Sequence, residues 1–192
     1  MPQPNPGDDF SIETGSIVKY SLKAHVSNVM TYLNGNVGSY IVRGNYGGSI
    51  FAVYNVAVTM MQLVWIIPDA VSQVIMSRIA SMKEQSDKLK LTLISSKIVT
   101  YITIVSAVLL VWFANIFVPI IFPMYKGALE PLKYLIVGSV FISYAKVLTN
   151  SISAYGRPEL NILPTALGIV SNILFSVLLI PVMKVNGVAM AS

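Results

Sequence analysis

The sequence contains no cysteine, a single histidine (His25) and few charged residues, 11% of the chain. The first absence excludes disulfides, iron–sulfur clusters and thiolate zinc sites, and the second excludes a histidine-rich metal site. The scarcity of charge decides the class. A soluble domain carries about 25% charged residues, and a chain with under half that share and 55% hydrophobic residues cannot surround itself with water. Lipid has to cover it. Acids are scarcer than bases, 8 against 13. In such a chain the net charge of +5 fits basic cytoplasmic loops and not a nucleic-acid partner.

What is present is a series of five long apolar blocks, Tyr20–Val42, Gly48–Ala80, Ile94–Phe122, Lys133–Tyr155 and Leu160–Met183. A hydrocarbon core of ~30 Å is crossed by about 20 helical residues, and each block reaches that length. The pattern predicts an all-α, polytopic transmembrane helical bundle over residues 19–192, with five full spans. Gly187-Val188-Ala189-Met190-Ala191-Ser192 reads as the opening turns of a sixth. Residues 1–18 are expected to form a polar, flexible leader. Met1–Gly15 holds three prolines and the acids Asp8, Asp9 and Glu13, without the basic-then-apolar order of a signal peptide. The odd number of spans and the stop at Ser192 point to part of a longer protein.

If Tyr20 enters from the cytoplasm, the connections on that side hold Lys19, Lys23, Arg78, Lys83, Lys88, Lys90, Lys97 and Arg157. The opposite side holds Arg43, Lys126, Lys133 and Lys184, a bias of eight against four toward a cytoplasmic N-terminus in the cell membrane. Lys146 is left inside a span.

The first block is interrupted by Lys23, His25, Asn28, Asn34, Asn36 and Arg43, so it cannot face lipid all round. In the second, Pro68 deletes a backbone hydrogen bond and bends the helix near Ile67. Ser81–Leu93, with Lys83, Glu84, Asp87, Lys88 and Lys90 beside three leucines, reads either as a solvated loop or as a short amphipathic helix on the headgroups. Ala154-Tyr155-Gly156-Arg157-Pro158 is a turn in which glycine takes the left-handed C-cap conformation and proline stops the helix. Gly44-Asn45-Tyr46-Gly47-Gly48 lacks the lysine and hydroxyl residue of a phosphate loop and is a simple turn.

The ordered set Leu33-Asn34-Gly35-Asn36-Val37-Gly38, Phe51-Ala52-Val53-Tyr54-Asn55-Val56-Ala57, Ile67-Pro68-Asp69-Ala70-Val71, Ser77-Arg78-Ile79-Ala80, Ala154–Pro158 and Ile180-Pro181 with Gly187–Ser192 resembles the polysaccharide-transport branch of the flippase superfamily that also holds the multidrug and toxin extrusion transporters. It departs from the family at Gly38, where an acid is frequent, at Ala52, where glycine is usual, and at Asp69, where a small neutral residue is usual. The resemblance covers nearly all of Lys19–Ser192. It implies the start of the C-terminal lobe of a two-lobe transporter, with the N-terminal lobe as its missing partner. It implies alternating-access transport of a polyprenyl-diphosphate-linked oligosaccharide across the cytoplasmic membrane. Polysaccharide polymerases and glycosyltransferases are then working partners, membrane lipid is the solvent, and no cofactor or covalent chemistry is required.

For an anionic lipid diphosphate the candidate contacts are cations inside or at the ends of spans: Lys23, Arg43 and Lys146. Lys23 and Arg43 can also snorkel or anchor at the interface. Lys146 sits about midway along its block, too far from either end to snorkel, and should face a cavity or a partner. Asp69 is the only acid within a span and is that candidate partner, as a closed ion pair or as a gate. The lone His25 reads either as a hydrogen-bonded helix residue or as a proton-coupling group, and Asn28, Asn34, Asn36, Asn150 and Asn172 can meet sugar hydroxyls or bridge helices. Two other classes stand beside the flippase: a drug or cation antiporter of the same superfamily, resting on Asp69, and a transporter fragment without activity of its own. An enzyme is not expected, since Glu84 and Asp87 are the only acids in the longest loop and read as solvated.

Overall fold

The computed structural model describes residues 10–82 and 84–192. It is 94% helical, with no strand among the described residues. The order is α1 (Phe10–Leu63), α2 (Ile66–Ser81), α3 (Gln85–Ile121), a 3₁₀ turn (Pro123–Ala128), α4 (Leu129–Ala154), a second 3₁₀ turn (Pro158–Asn161), α5 (Ile162–Met183) and α6 (Val185–Ala191). α3 packs on α4, α2 leans on both, and α1 lies against α4 and α5, with α6 folded back on α5.

Residues 1–9 of the expected leader lie outside the described residues, and from Phe10 onward that stretch is already helix. Among the described residues, three helical segments are long and apolar enough to cross a membrane: Gln85–Ile121, Pro123–Ala154 and Pro158–Met183. A fourth is added if the bent pair Ile17–Leu63 and Ile66–Ser81 counts as one span. The expected five spans and the start of a sixth are therefore met only in part. The first two blocks are two helices joined within α1 at Gly47, whose φ of 77° and ψ of −175° lie outside the helical region. Arg43 and Phe51, on opposite sides of Gly47, approach to 5.6 Å between guanidinium carbon and ring centroid.

The break between α1 and α2, a bend of 47°, has an identifiable cause. Pro68 cannot donate to the carbonyl of Val64, and the chain tightens there: Val64 N–H donates to Met61 O and Trp65 N–H to Gln62 O, both at 3.0 Å. The region expected as a connection over Ser81–Leu93 is different. α2 ends at Ser81 and α3 begins at Gln85, so most of that segment forms the first turns of a 37-residue helix. At 1.5 Å per residue α3 is about 55 Å long, more than a bilayer needs, and its charged start projects past the apolar length. Asp87 in its first turn suits the positive end of the helix dipole.

Gly156 has φ 78° and closes α4 as expected: Gly156 N–H donates to Ser153 O at 3.0 Å and Arg157 N–H to Ile152 O at 3.4 Å, the paired bonds of a Schellman cap. The turn into α6 falls at Lys184, with φ 52°, two residues before the expected Asn186-Gly187. Gly187 instead serves close approach, since a Cβ there would stand 2.7 Å from Leu179 O.

The interior mixes small hydroxyl residues with apolar ones, and large apolar side chains also cover the exterior. Ser72, Ser96, Thr103, Ser143 and Ser176 are at most 1% exposed, while Ile120, Phe141 and Val182 are exposed by 73–80%. On α3 the buried face runs Thr92, Ser96, Val99, Thr103, Ala107, Ala114 and Val118, and on α4 it includes Ser139, Ser143, Val147 and Ser151. Small residues at a spacing of three to four let two helices approach where lipid supplies no hydrophobic drive. Thr92 Oγ1 donates to Ser151 Oγ across the seam at 3.1 Å, a bond of about 0.6–2 kcal/mol in this setting.

Replacing Gly47 with alanine should strain the backbone by about 1–3 kcal/mol and lower the melting temperature in detergent by several degrees. Gly48→Ala, where φ is not positive and nothing stands within 4 Å, should leave it unchanged. Equal melting of the two variants would remove the conformational role assigned to Gly47.

Candidate functional site

Lys146, eight residues and thus about 12 Å from the end of α4, turns inward and meets α2. Its Nζ donates to both carboxylate oxygens of Asp69, at 2.7 and 2.9 Å. The same ammonium lies 4.0 Å from the centroid of the Trp65 ring, within cation–π range. Trp65 is itself fixed, because its indole N–H donates to Ser139 O on α4 at 3.2 Å. Asp69 stands at the start of α2, just after the Pro68 bend, and its N–H returns to Trp65 O at 2.8 Å. The bend that sequence places here is therefore what aims the carboxylate at α4.

The pair borders a cleft of about 570 Å³ between α1, α2, α4 and the start of α5. Its walls include the side chains of Thr31, Asn34, Gln73, Thr149, Asn150 and Thr165. Among the described residues that line it, Asp69 and Lys146 are the only ones with charged side chains. The pair is partly open to the cleft, the Lys146 side chain being 26% and that of Asp69 45% exposed.

The other two candidate cations do not come to this place. Lys23 donates to Glu159 Oε1 at 3.1 Å, tying α1 to the turn before α5. Tyr20 Oη donates to Ser153 O at 3.2 Å beside it. Arg43 is exposed near Gly47, over the Phe51 ring. A single cationic wall built from Lys23, Arg43 and Lys146 is thus not formed, because the first two sit toward opposite ends of the first half of α1. Of the asparagines, Asn34 and Asn150 reach the cleft. Asn36 donates to Tyr32 O at 2.8 Å, Asn172 is buried and accepts from Ser176 Oγ at 3.3 Å, and Asn28 and His25 are exposed.

Residues that sequence reasoning passed over are Trp65, Gln73 and Thr149. A signal for them exists: Trp65, Asp69 and Gln73 recur every four residues, as do Ile142, Lys146 and Asn150, so each charge carries its neighbours on its own helix face.

Residues 6–124, more than half the chain, match the family described as polysaccharide biosynthesis protein. The chain belongs to that family. A membrane protein of Methanocaldococcus jannaschii, MJ1068, itself uncharacterized, is 24% identical over 170 residues, which cover 86% of this chain and 33% of the relative. The chain thus spans about a third of the length of the curated relative it matches. No solved structure matches it. For a polysaccharide biosynthesis protein with several apolar helices, membership and exterior agree on a multi-pass membrane protein. The polar cleft is then the part of it that needs a reason.

Removing one partner of the Asp69–Lys146 pair, by Asp69→Asn or Lys146→Met, should cost about 1–3 kcal/mol, between the exposed and the buried limits for ion pairs. The double variant should lose less than the sum. A double-mutant cycle on unfolding in mixed micelles checks this, and strict additivity would mean that the two charges do not act as a pair.

Proposed function

We propose that the chain is part of a flippase that moves a polyprenyl-diphosphate-linked oligosaccharide from the cytoplasmic to the outer leaflet by alternating access. The observation that carries the reading is the Lys146–Asp69 pair facing a polar cleft within an otherwise lipid-compatible bundle. A charge at the centre of a membrane helix costs about 2.5–3.5 kcal/mol even on insertion scales. Its presence there calls for a use beyond folding. Family membership supplies the setting, polysaccharide biosynthesis.

The physical problem of such transport is to carry sugars and a diphosphate through hydrocarbon. A cleft between two lobes solves it, with the polyprenyl tail left in lipid. In this reading residues 10–192 contribute five spans and the start of a sixth to one lobe, the two halves of α1 on either side of Gly47 counting as separate passes. The N-terminus is cytoplasmic, at the end where Tyr20 bonds Ser153, Lys23 bonds Glu159 and Lys88 lies over Tyr155. The Lys146–Asp69 pair links α4 to the segment beyond the Pro68 bend. It closes the cleft in one state and parts in the other, acting as a gate. A second lobe completes the passage, and a polymerase or glycosyltransferase on either side supplies and consumes the glycan. Transport of this kind makes and breaks no covalent bond. The antiporter alternative is weaker here, since the acid it relies on is already held by both oxygens to Lys146.

Lys146→Ala, introduced into the full gene product, should abolish glycan export while leaving the amount of membrane-inserted protein unchanged. Glycan at the cell surface and immunodetection of the protein measure the two. Normal export would take Lys146 out of the mechanism.

A further inference from the structure

The cleft holds a mismatch with the most obvious ligand of a lipid-diphosphate transporter. Its one ammonium is satisfied by both oxygens of Asp69 and by the Trp65 ring. The charged side chains that line it, among the described residues, sum to zero. A diphosphate entering here would meet a carboxylate beside its counter-ion, and like charges in a low-dielectric site repel strongly. What the walls offer in quantity is neutral hydrogen bonding. Asn34, Gln73 and Asn150 make no hydrogen bond to the protein among the described residues, whereas Asn36, off the cleft, spends its amide on Tyr32 O. Thr149 Oγ1 is likewise undonated, unlike the hydroxyls of Thr31 and Thr165, which bond the carbonyls one turn back. Each free amide carries two donors and an acceptor. Leaving those of the half-buried Asn34 and Asn150 unused inside a membrane protein is costly unless water or a ligand meets them.

From this neutral, unspent set we infer that the cleft is a saccharide site: it binds the uncharged hydroxyl-bearing glycan of the cargo through Asn34, Gln73 and Asn150, and the diphosphate is held elsewhere. This rests on the flippase reading and narrows it, assigning these residues to sugar selectivity and not to anion capture. The volume of about 570 Å³ lies within the range of small-molecule sites and suits a few sugar rings at a time.

The two tryptophans, Trp65 and Trp112, provide the test. Trp65 lines the cleft and Trp112 is an exposed residue of α3, so in the full gene product an emission change kept in Trp112→Phe and lost in Trp65→Phe is that of the cleft. In nanodiscs the emission is titrated with chitotetraose and maltotetraose, and separately with inorganic pyrophosphate. The expected result is a saturable shift with at least one neutral sugar and none with pyrophosphate. Asn34→Ala or Asn150→Ala should weaken the sugar response at least tenfold, and Asn36→Ala should leave it intact. Asn34→Gln, which keeps the amide, guards against a folding defect by retaining part of the response. A pyrophosphate response equal to or stronger than that of the sugars overturns the inference, and so does silence toward every probe. In either case glycan export by the same Trp112→Phe protein is scored in cells. Export with no sugar response removes the saccharide site and keeps the flippase; no export in the parent protein removes the flippase reading itself.

Discussion

Hydrocarbon offers no hydrogen bonds, and this one constraint organises the molecule. Every backbone amide has to find its partner within its own segment, hence the nearly complete helicity. Every side-chain hydroxyl in a span has to do the same or turn inward. Ser96 donates to Thr92 O, Thr103 to Val99 O and Ser143 to Val140 O, at 2.7–2.8 Å. These back-bonded hydroxyls are small, so the faces that carry them become the seams along which helices pack. Many large apolar side chains lie outward, where lipid receives them, while Tyr54, Ile79 and Leu132 stay inside. Seam and surface are two consequences of the same rule.

Against that background Pro68 matters more than its size suggests. It removes one backbone donor, and the chain around it tightens into the 3.0 Å bonds that end α1. The resulting 47° bend redirects the chain just before Trp65 and Asp69, which lie one turn apart and are joined by the bond from Asp69 N–H to Trp65 O. Both then reach α4, Trp65 at Ser139 and Asp69 at Lys146. Lying on one face, the ring and the carboxylate meet the same ammonium. The cleft is thus a product of a broken helix, a common device by which membrane proteins place polar groups at depth.

Much of this was legible in the sequence. The apolar blocks, the Pro68 bend, the Gly156 cap and the pairing of the one buried-block lysine with the one buried-block acid all rest on local chemistry, and each is present. Features that depend on which face meets which neighbour were not legible. Lys23 and Arg43 belong to the same polar block, yet about 20 residues separate them, about 30 Å along a helix, and they cannot serve one site. Ser81–Leu93 has the charge of a loop, but Gln85 onward also has helix-forming leucines and lysines, and packing against α4 through Thr92 completes the helix. The amides of Asn34, Gln73 and Asn150 were dispersed over three elements, and only the fold brings them to one wall.

The energetics of the Lys146–Asp69 pair bear on how such a cleft can work. A fully buried pair that loses a partner costs about 3–5 kcal/mol, and an exposed one is worth about 0–1 kcal/mol. With side chains 26% and 45% exposed, this pair falls between. That intermediate value suits the gate proposed for it. A pair worth much more would trap the closed state, since shifting a two-state equilibrium from 1:99 to 99:1 already takes about 5.5 kcal/mol of differential binding. A pair worth nothing would not hold α2 to α4. The cleft's neutral amides contribute in the same sense: hydrogen bonds to sugar hydroxyls are individually weak, about 0.5–1.5 kcal/mol net. In the proposed saccharide site, a cargo gripped by several of them would be held firmly enough to be carried and loosely enough to be released.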